Sequence, residues 1–198
     1  MPISSEPLAP WRSPLARALH RNRSLIYSRY LQLATVTPDG FPACRTVVFR
    51  GFREGTNQLQ IITDRRSQKI QHIAHQPKAE VCWYFPKTRE QFRLAGHLLV
   101  VDKDNSDLEL QEARNHLWQT ISEAARSQFA SPPPDQPWDP NQPVISEPPD
   151  AFTPLDTFCL VLLLPDRVDH LELRGSPQTR HRYTYDPHDG WTALAINP

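Results

Sequence analysis

The sequence lacks the features that mark several large classes of protein. Lysine plus arginine and aspartate plus glutamate balance at 22 each in 198 residues, so no overall basic charge favours nucleic-acid binding. No apolar run approaches the roughly 20 residues of a bilayer-spanning helix. The N-terminus, MPISSEPLAPWRSPLARAL, lacks the apolar segment of a signal peptide. We therefore expect a cytoplasmic protein that binds neither nucleic acid nor membrane.

Cysteine is scarce, and the common catalytic and metal-binding motifs are missing. The three cysteines, Cys44, Cys82 and Cys159, are odd in number and widely spaced, which argues against a disulfide framework. Cys44 and Cys82 have apolar neighbours and are expected to be buried, unreactive thiols. CxxC, HExxH, GxSxG and P-loop patterns do not occur, and the eight histidines lack metal-ligand spacing. We therefore expect no metal site.

Proline, by contrast, is abundant, and it concentrates in one segment. Of the 21 prolines, nine fall between Pro132 and Pro154, which predicts a long extended loop at about 131–154. A disordered linker between two domains is the alternative. The roughly 45 residues after the loop are too few for a second core. Trp138 and Phe152 suggest that the loop packs against the rest of the chain, so we expect one domain, 1–198.

Hydrophobic periodicity predicts short strands with hairpin-like turns and two longer helices. The long helices are expected at 13–30 and, from a capping box at Ser106–Glu109, to about 127; a short helix is expected at 67–75. The expected strands are 33–37, 43–52, 59–63, 79–85, 91–101, 158–164, 168–173, 180–185 and 191–196. This pattern favours a mostly β (α+β) antiparallel barrel with peripheral helices over a parallel sheet.

Positive charge and hydroxyl groups concentrate on two neighbouring strands and on the turn into the short helix. The cluster comprises Arg45, Thr46, Arg50, Thr63, Arg65, Arg66, Ser67, Gln68 and Lys69. A helix that begins at Ser67 presents free N–H groups and the positive end of its dipole, which favour an anion. Arg45 supplies a planar donor fork and Lys69 a point charge. A phosphate monoester fits this cluster, and an ordinary solvated basic turn is the alternative.

Residues 33–101 resemble the core of the pyridoxamine 5′-phosphate oxidase family. The matching stretches are LATVTPDGFPACRTVVFRGF, LQIITDRRSQKIQHIAHQPKAEVCWYF and REQFRLAGHLLVVD, in the family's order. The chain is most similar to a cyanobacterial and plant-like subgroup described as FMN-binding. The resemblance implies a split antiparallel β-barrel, bound FMN, and a homodimer whose flavin site is shared between the subunits.

The resemblance also assigns residues to FMN binding. They are Arg45, Thr46, Val47, Val48, Arg50, Ile62, Thr63, Ser67, Gln68, Lys69, Gln91 and Arg182. Arg45 and the turn that carries Ser67 and Lys69 would hold the phosphate, with Gln68 in place of the family's arginine. Gln91 would reach the flavin from the partner chain.

The C-terminal part departs from the oxidase pattern. A gapless match back from Arg182 places Glu172 where the family has a flavin-stacking tryptophan. Gln178 and Arg180 then stand where the family has the arginine and histidine that hold and act on the substrate. In this register the flavin cradle is kept and the pocket for pyridoxamine phosphate is not.

Three functions remain open at this point. The first is an FMN-dependent oxidoreductase, in which Arg180 and Arg182 contact the flavin or a phosphorylated small-molecule substrate; pyridoxamine or pyridoxine 5′-phosphate is the leading candidate. The second is a non-catalytic FMN-binding carrier or sensor. The third is a flavin reductase that uses a nicotinamide.

Two further groups of residues have alternative interpretations. Arg114, Trp118 and Arg126 resemble in position a helix that binds substrate phosphate in the oxidase, and a plain surface helix is the alternative. Trp118 could also cover the flavin, although large aromatic residues are more often part of a core. The histidines of the later strands, His97 and His170, are interpreted as barrel positions.

Overall fold

The computed structural model describes residues 7–140 and 147–198, which form one antiparallel sheet with helices outside it. The strands are β1 (Tyr30–Val36), β2 (Pro42–Val48), β3 (Gly51–Phe52), β4 (Leu59–Asp64), β5 (Lys78–Phe85), β6 (Glu90–Val101), β7 (Phe158–Glu172), β8 (Thr179–Asp186) and β9 (Gly190–Ile196). Their order is β2-β1-β5-β6-β7-β4-β3, with β8 on β7 and β9 on β8. The end strands β2 and β3 do not pair in the described chain, so the barrel is split. The predicted fold class is confirmed.

Four α-helices surround the sheet in the described residues. They are α1 (Arg12–Asn22), α2 (Gln68–His75), α3 (Leu108–Thr120) and α4 (Glu123–Ala130), and a 3-10 turn occupies Ile26–Arg29. None of them is long and apolar enough to cross a bilayer.

Strand β7 separates two hydrophobic clusters and is buried on both sides. Val161 and Leu163 face the barrel interior with Trp83 and Phe92, whereas Leu160 and Leu162 belong to the cluster beneath α3 and α4. A strand covered on both faces carries a continuous apolar run instead of an alternating one. The sequence FCLVLLL at the start of β7 has this character.

The prediction of a helix over 13–30 is wrong beyond Asn22. The buried Asn22 side chain donates to the Ala18 carbonyl and to Thr88, and it accepts from the Lys87 amide, so the chain is fixed at the helix end. Ile26 continues the helical spacing of the sequence but is 89% exposed, because it lies beyond α1. The helical spacing of apolar residues after Asn22 therefore does not indicate a buried helix face.

The second long helix is interrupted. Asp107, not Ser106, caps α3, and its carboxylate accepts from the backbone amides of the first turn. The helix ends at Thr120, and α4 begins after Ser122, whose hydroxyl accepts from Ala125 N. The predicted single helix to residue 127 is therefore two helices with a cap between them.

Two predicted strand boundaries also differ. The strand expected at 43–52 ends at Val48, and Gly51–Phe52 pairs with β4 instead. The strands expected at 158–164 and 168–173 are one strand that continues through Pro165. Pro165 lies opposite Gly96, where the register of β6 and β7 shifts by a bulge. Proline is tolerated in a sheet at such bulges.

Two expectations about burial are wrong. Cys44 is exposed on the terminal strand β2, and Cys82 is half-buried. Trp138 and Phe152 are 84% and 75% exposed, so neither anchors the proline-rich loop. The loop is held instead through its backbone, because Trp118 Nε1 donates to Asp150 O at 2.9 Å. Residues 141–146 of the loop lie outside the described residues.

The contact between Gly96 and β7 should be intolerant of any side chain. A Cβ at Gly96 would lie 2.0 Å from the backbone oxygen of Leu164. We expect Gly96→Ala to lower the free energy of unfolding by about 3 kcal/mol, as measured by urea denaturation. The control is Gly55→Ala, where a Cβ meets nothing within 4 Å but the backbone has a φ of +67°. That variant should lose only about 1–2 kcal/mol. Equal losses in the two variants would contradict the steric explanation.

Candidate functional site

A cavity of about 370 Å³ lies in the split of the barrel, between β2 and β4. Its lining residues are Arg45, Thr46, Val47, Val48, Arg50, Ile62, Thr63, Asp64, Lys69, Gln128, Phe129, Pro132 and Pro134. The structure thus brings together most of the residues that the sequence assigned to FMN. The cleft exists because the sheet does not close at this point.

The strands on both sides of the cavity present unpaired backbone edges. Strand β2 pairs only with β1, and β4 pairs with β3 only through Leu59 and Gln60. The N–H and C=O groups along these edges have no strand partner in the described chain. A planar ring with carbonyl and N–H groups on its rim can bond to such an edge as an added strand would.

The end of the cavity at α2 is built from hydroxyl and ammonium groups. Lys69 Nζ donates to Thr63 Oγ1 at 2.8 Å and to Ser67 Oγ at 3.1 Å. Ser67 is the N-cap residue of α2, but its hydroxyl does not bond the helix amides. The Ile70 amide donates to the Ser67 carbonyl, and the amides of Gln68 and Lys69 are left available to an anion. Burial, and then the nearby charge of Arg45, lower the pKa of Lys69.

Three cations around the cavity form no ion pair with the described residues. Among the described residues, Arg45, Arg50 and Lys69 have no carboxylate within ion-pair distance. The Nε atom of Arg50 is buried without a hydrogen-bond partner. Because unpaired buried cations are costly, a bound anion would stabilise this arrangement. The hydroxyls, free helix amides and three cations fit the phosphate of FMN, and the strand edges fit its ring.

Other members of the predicted basic cluster stabilise the turn and do not line the cavity. Arg65 pairs with Asp102 and Asp104. The Arg66 guanidinium donates two bonds to Asp64 and also donates to the carbonyls of Ser131 and Phe129. Gln68 is exposed.

Sequence reasoning missed the wall of the cavity opposite the strands. Gln128 and Phe129, at the end of α4, and Pro132 and Pro134 of the proline-rich loop line the cavity. The first residues of the proline-rich loop therefore cover the cleft. No local signal identified these residues, because their place depends on the break between α3 and α4.

The residues of the helical region that resembled a phosphate-binding helix have structural roles. Arg114 is buried and donates to the carbonyls of Phe158 and Leu155. Trp118 is fully buried in the cluster beneath the helices. Arg126 donates to the carbonyl of Ile121. The interpretation as an exposed surface helix is therefore wrong for this part of the chain, and none of the three residues lines the cavity.

Gln91, Arg180 and Arg182 lie away from this cavity, on β6 and β8. Cross-strand pairing places Gln91 opposite Leu171, and Asp169 opposite both Arg93 and Arg182, so these residues share one face of the sheet. Arg180 binds the Asp169 carboxylate through two bonds of 2.8 and 2.9 Å. Burial alone would raise the pKa of Asp169, but the surrounding arginines outweigh it and hold that pKa below its ordinary value.

Glu172 lies on the opposite face from Arg182. Asp169 and Leu171 share the face of Arg182, whereas His170 and Glu172 alternate with them and point to the other side. Glu172, which the gapless match set at a flavin-stacking position, therefore does not share the face of Gln91 and Arg182. Leu171 is the residue on the face of Gln91 and Arg182. His170 is buried as expected, and His97 is exposed on β6.

Removing either phosphate-end cation should weaken FMN binding. We expect Arg45→Ala and Lys69→Ala each to cost about 1–3 kcal/mol of FMN affinity, the range for a lost charge-assisted bond. The measurement is FMN fluorescence quenching on the apoprotein. Arg65→Ala is the matched control, since Arg65 belongs to the same turn but is paired with Asp102 and Asp104. Unchanged affinity in the first two variants would refute the phosphate assignment.

Comparisons with known proteins agree with this geometry. Residues 8–102 match the family described as pyridoxamine 5′-phosphate oxidase, FMN-binding domain. A pyridoxine/pyridoxamine 5′-phosphate oxidase 2 of Arabidopsis thaliana is 38% identical over 196 residues, which cover 96% of this chain and 98% of that protein.

Solved structures extend the similarity to the whole fold. A pyridoxamine 5′-phosphate oxidase-related, FMN binding protein from Nostoc punctiforme is 56% identical, with a TM-score of 0.90 over 97% of this chain and 99% of that one. PhzG from Burkholderia lata, solved with tetrahydrophenazine-1-carboxylic acid, has a TM-score of 0.75 at 19% identity, over 100% of this chain and 97% of that one, and shares the fold alone. The predicted resemblance to a cyanobacterial and plant-like subgroup is confirmed. The chain belongs to the pyridoxamine 5′-phosphate oxidase family and is an FMN-binding flavoprotein.

Proposed function

We propose that this flavoprotein is an FMN-dependent oxidoreductase that oxidises pyridoxine or pyridoxamine 5′-phosphate. It works as a homodimer in which each flavin site is completed by the partner chain. The observation that carries the proposal is the division of the expected flavin contacts into two groups. One group forms the cradle between β2 and β4, and the other lies around Asp169 on β6–β8.

The second group supports a shared site because the sheet face on which it lies extends to the strand that borders the cradle. The face that carries Gln91 and Arg182 continues across β5 and β1 to Thr46 on β2, and much of it is exposed. Two copies that pack through this face around a twofold axis would bring the Asp169 group of one chain to the cradle of the other.

The proposed division of labour follows from the charges. Bound FMN supplies the hydride-accepting chemistry, while the protein anchors and orients. Arg45, Lys69 and the helix amides hold the phosphate, and Phe129 with its neighbours shields the cleft from water. Arg180 and Arg182 offer planar donors to an anionic substrate. No side chain is required as a general base.

The substrate proposal rests on two facts. The Arabidopsis relative that matches over nearly its whole length is named as a pyridoxine/pyridoxamine 5′-phosphate oxidase. Three arginines share the Asp169 carboxylate: Arg93, Arg180 and Arg182. The excess of positive charge favours an anion such as a phosphate monoester.

Turnover tests the catalytic proposal directly. We expect the FMN-loaded protein to convert pyridoxine 5′-phosphate with release of hydrogen peroxide, measured in a peroxidase-coupled assay. Bound FMN without turnover would favour a carrier or sensor. Bleaching of the flavin by NADH or NADPH, without peroxide from pyridoxine phosphate, would favour a flavin reductase.

A mixed dimer tests the shared site. Lys69→Ala damages the cradle and Arg182→Ala damages the second group, so each homodimer should have low activity. When the two variants are co-expressed with different tags, the mixed dimer contains one site with both groups intact. Because one of the two sites is intact, we expect the activity of each mixed dimer to recover to about half that of the wild-type dimer. No recovery would show that each site lies within one chain.

Asp169 should act as a positioning residue for the two arginines. We expect Asp169→Asn to lower kcat/KM by roughly 10–100-fold, because misplaced donors lose their alignment with substrate. FMN affinity should change little, since the phosphate end lies on β4 and α2. Asp166→Asn, an exposed change on the same strand, is the control. An equal loss of FMN binding in Asp169→Asn would indicate a general structural role instead.

A further inference from the structure

Three potential metal ligands meet on the face of β6 and β7 that points away from Gln91 and Arg182. Glu90 and Glu172 lie directly opposite each other across the two strands, and His170 is two residues before Glu172. His170 Nε2 is 2.9 Å from Glu90 Oε2 and 3.6 Å from Glu172 Oε1. The three ligand atoms all lie within 4.8 Å of one another. One imidazole nitrogen and two carboxylate oxygens form a donor set that divalent transition metals accept.

Two of the three donors are held in place before any ion binds. His170 is 2% exposed, and its ring stacks on Phe92 with 4.0 Å between the ring centroids. Glu90 is also buried and its carboxylate lies 2.9 Å from His170 Nε2, whereas Glu172 is partly exposed and lies opposite Glu90 on the neighbouring strand. Ligands whose rotamers are locked by packing lose little entropy when they bind a metal.

The two carboxylates of the cluster share a single ion-pair partner among the described residues. Like charges directly opposite on antiparallel strands repel. In the described chain, the only ion-pair partner of either carboxylate is His170. A protonated imidazole can neutralise one carboxylate, whereas a divalent cation neutralises both and leaves the neutral imidazole free to coordinate.

The cluster is accessible from one side. A cavity of about 430 Å³ opens in front of Glu90 and Glu172, and it is rimmed by Arg17, Arg21 and Arg174. Three protein ligands with an open side leave a fourth position for water or an anion. The arginines disfavour a bare cation and favour one that carries an anionic fourth ligand.

We propose that Glu90, His170 and Glu172 bind a divalent transition-metal ion such as Zn²⁺, at a site separate from the FMN cleft. The ligand spacing is invisible to a motif search, because Glu90 joins the other two residues only through strand pairing. The site does not depend on the proposed oxidase activity, since its ligands lie on the opposite face from the Asp169 group.

The test is Zn²⁺ binding to the full-length, FMN-loaded protein after chelator dialysis, measured by equilibrium dialysis with elemental analysis. We expect one tightly bound Zn²⁺ per chain. Glu172→Gln and His170→Asn should each weaken this binding by at least about tenfold, since even the loss of an outer-shell partner costs roughly 10–100-fold. His97→Asn is the matched control, because His97 on β6 lies near Asp166 of β7 but has no third potential ligand among the described residues.

The variants separate a metal site from surface binding and from misfolding. Glu172 is partly exposed, so Glu172→Gln should keep the wild-type circular dichroism and bound FMN even if the buried His170 change does not. Zn²⁺ affinity equal in the wild type and Glu172→Gln would overturn the proposal. The proposal would also be overturned if His97→Asn were the one variant that lost the tightly bound Zn²⁺.

Discussion

The bulge that places Pro165 of β7 opposite Gly96 is the constraint on which the rest of the structure depends. One edge of β7 pairs with β6 from Leu160 to Glu172, while the other edge pairs first with β4 and then with β8. The absence of a side chain at Gly96 allows the backbones to approach at the bulge. Because β4 takes the first half of β7 and β8 the second, the cradle and the Asp169 group are held at different places in one chain. The proposed shared site follows from this geometry.

The sequence was sufficient where a local signal coincided with burial or chemistry. Most of the strands and the start of the short helix at Ser67 were predicted correctly because each depends on neighbouring residues. Longer-range features were not predictable in this way. The end of α1 depends on bonds between Asn22 and residues of the β5–β6 turn, which are distant in sequence. The continuity of β7 through Pro165 depends on a glycine in another strand.

The candidate site shows the same division. Charge and hydroxyl density indicated the phosphate end, since Arg45, Thr63, Ser67 and Lys69 are close in sequence. The sequence could not show which arginines are available. Arg65 and Arg66 looked equivalent to Arg45, yet both are paired with aspartates. The proline-rich loop was expected to pack through its aromatic residues, but it covers the cleft with prolines. Which arginines remain unpaired, and which residues cover the cleft, are both decided by tertiary contacts.

Strand register decides how the departures from the oxidase pattern should be interpreted. A shift of one residue moves every side chain to the other face of a sheet. Aligned without the structure, Glu172 appeared to replace a flavin-stacking tryptophan, which would place a carboxylate against the flavin. With the observed pairing, Glu172 belongs with Glu90 and His170 on the other face, and Leu171 accompanies Gln91 and Arg182. The substitution at Glu172 therefore does not argue against an oxidase, because Leu171, not Glu172, lies on the face that the proposed dimer turns toward the flavin.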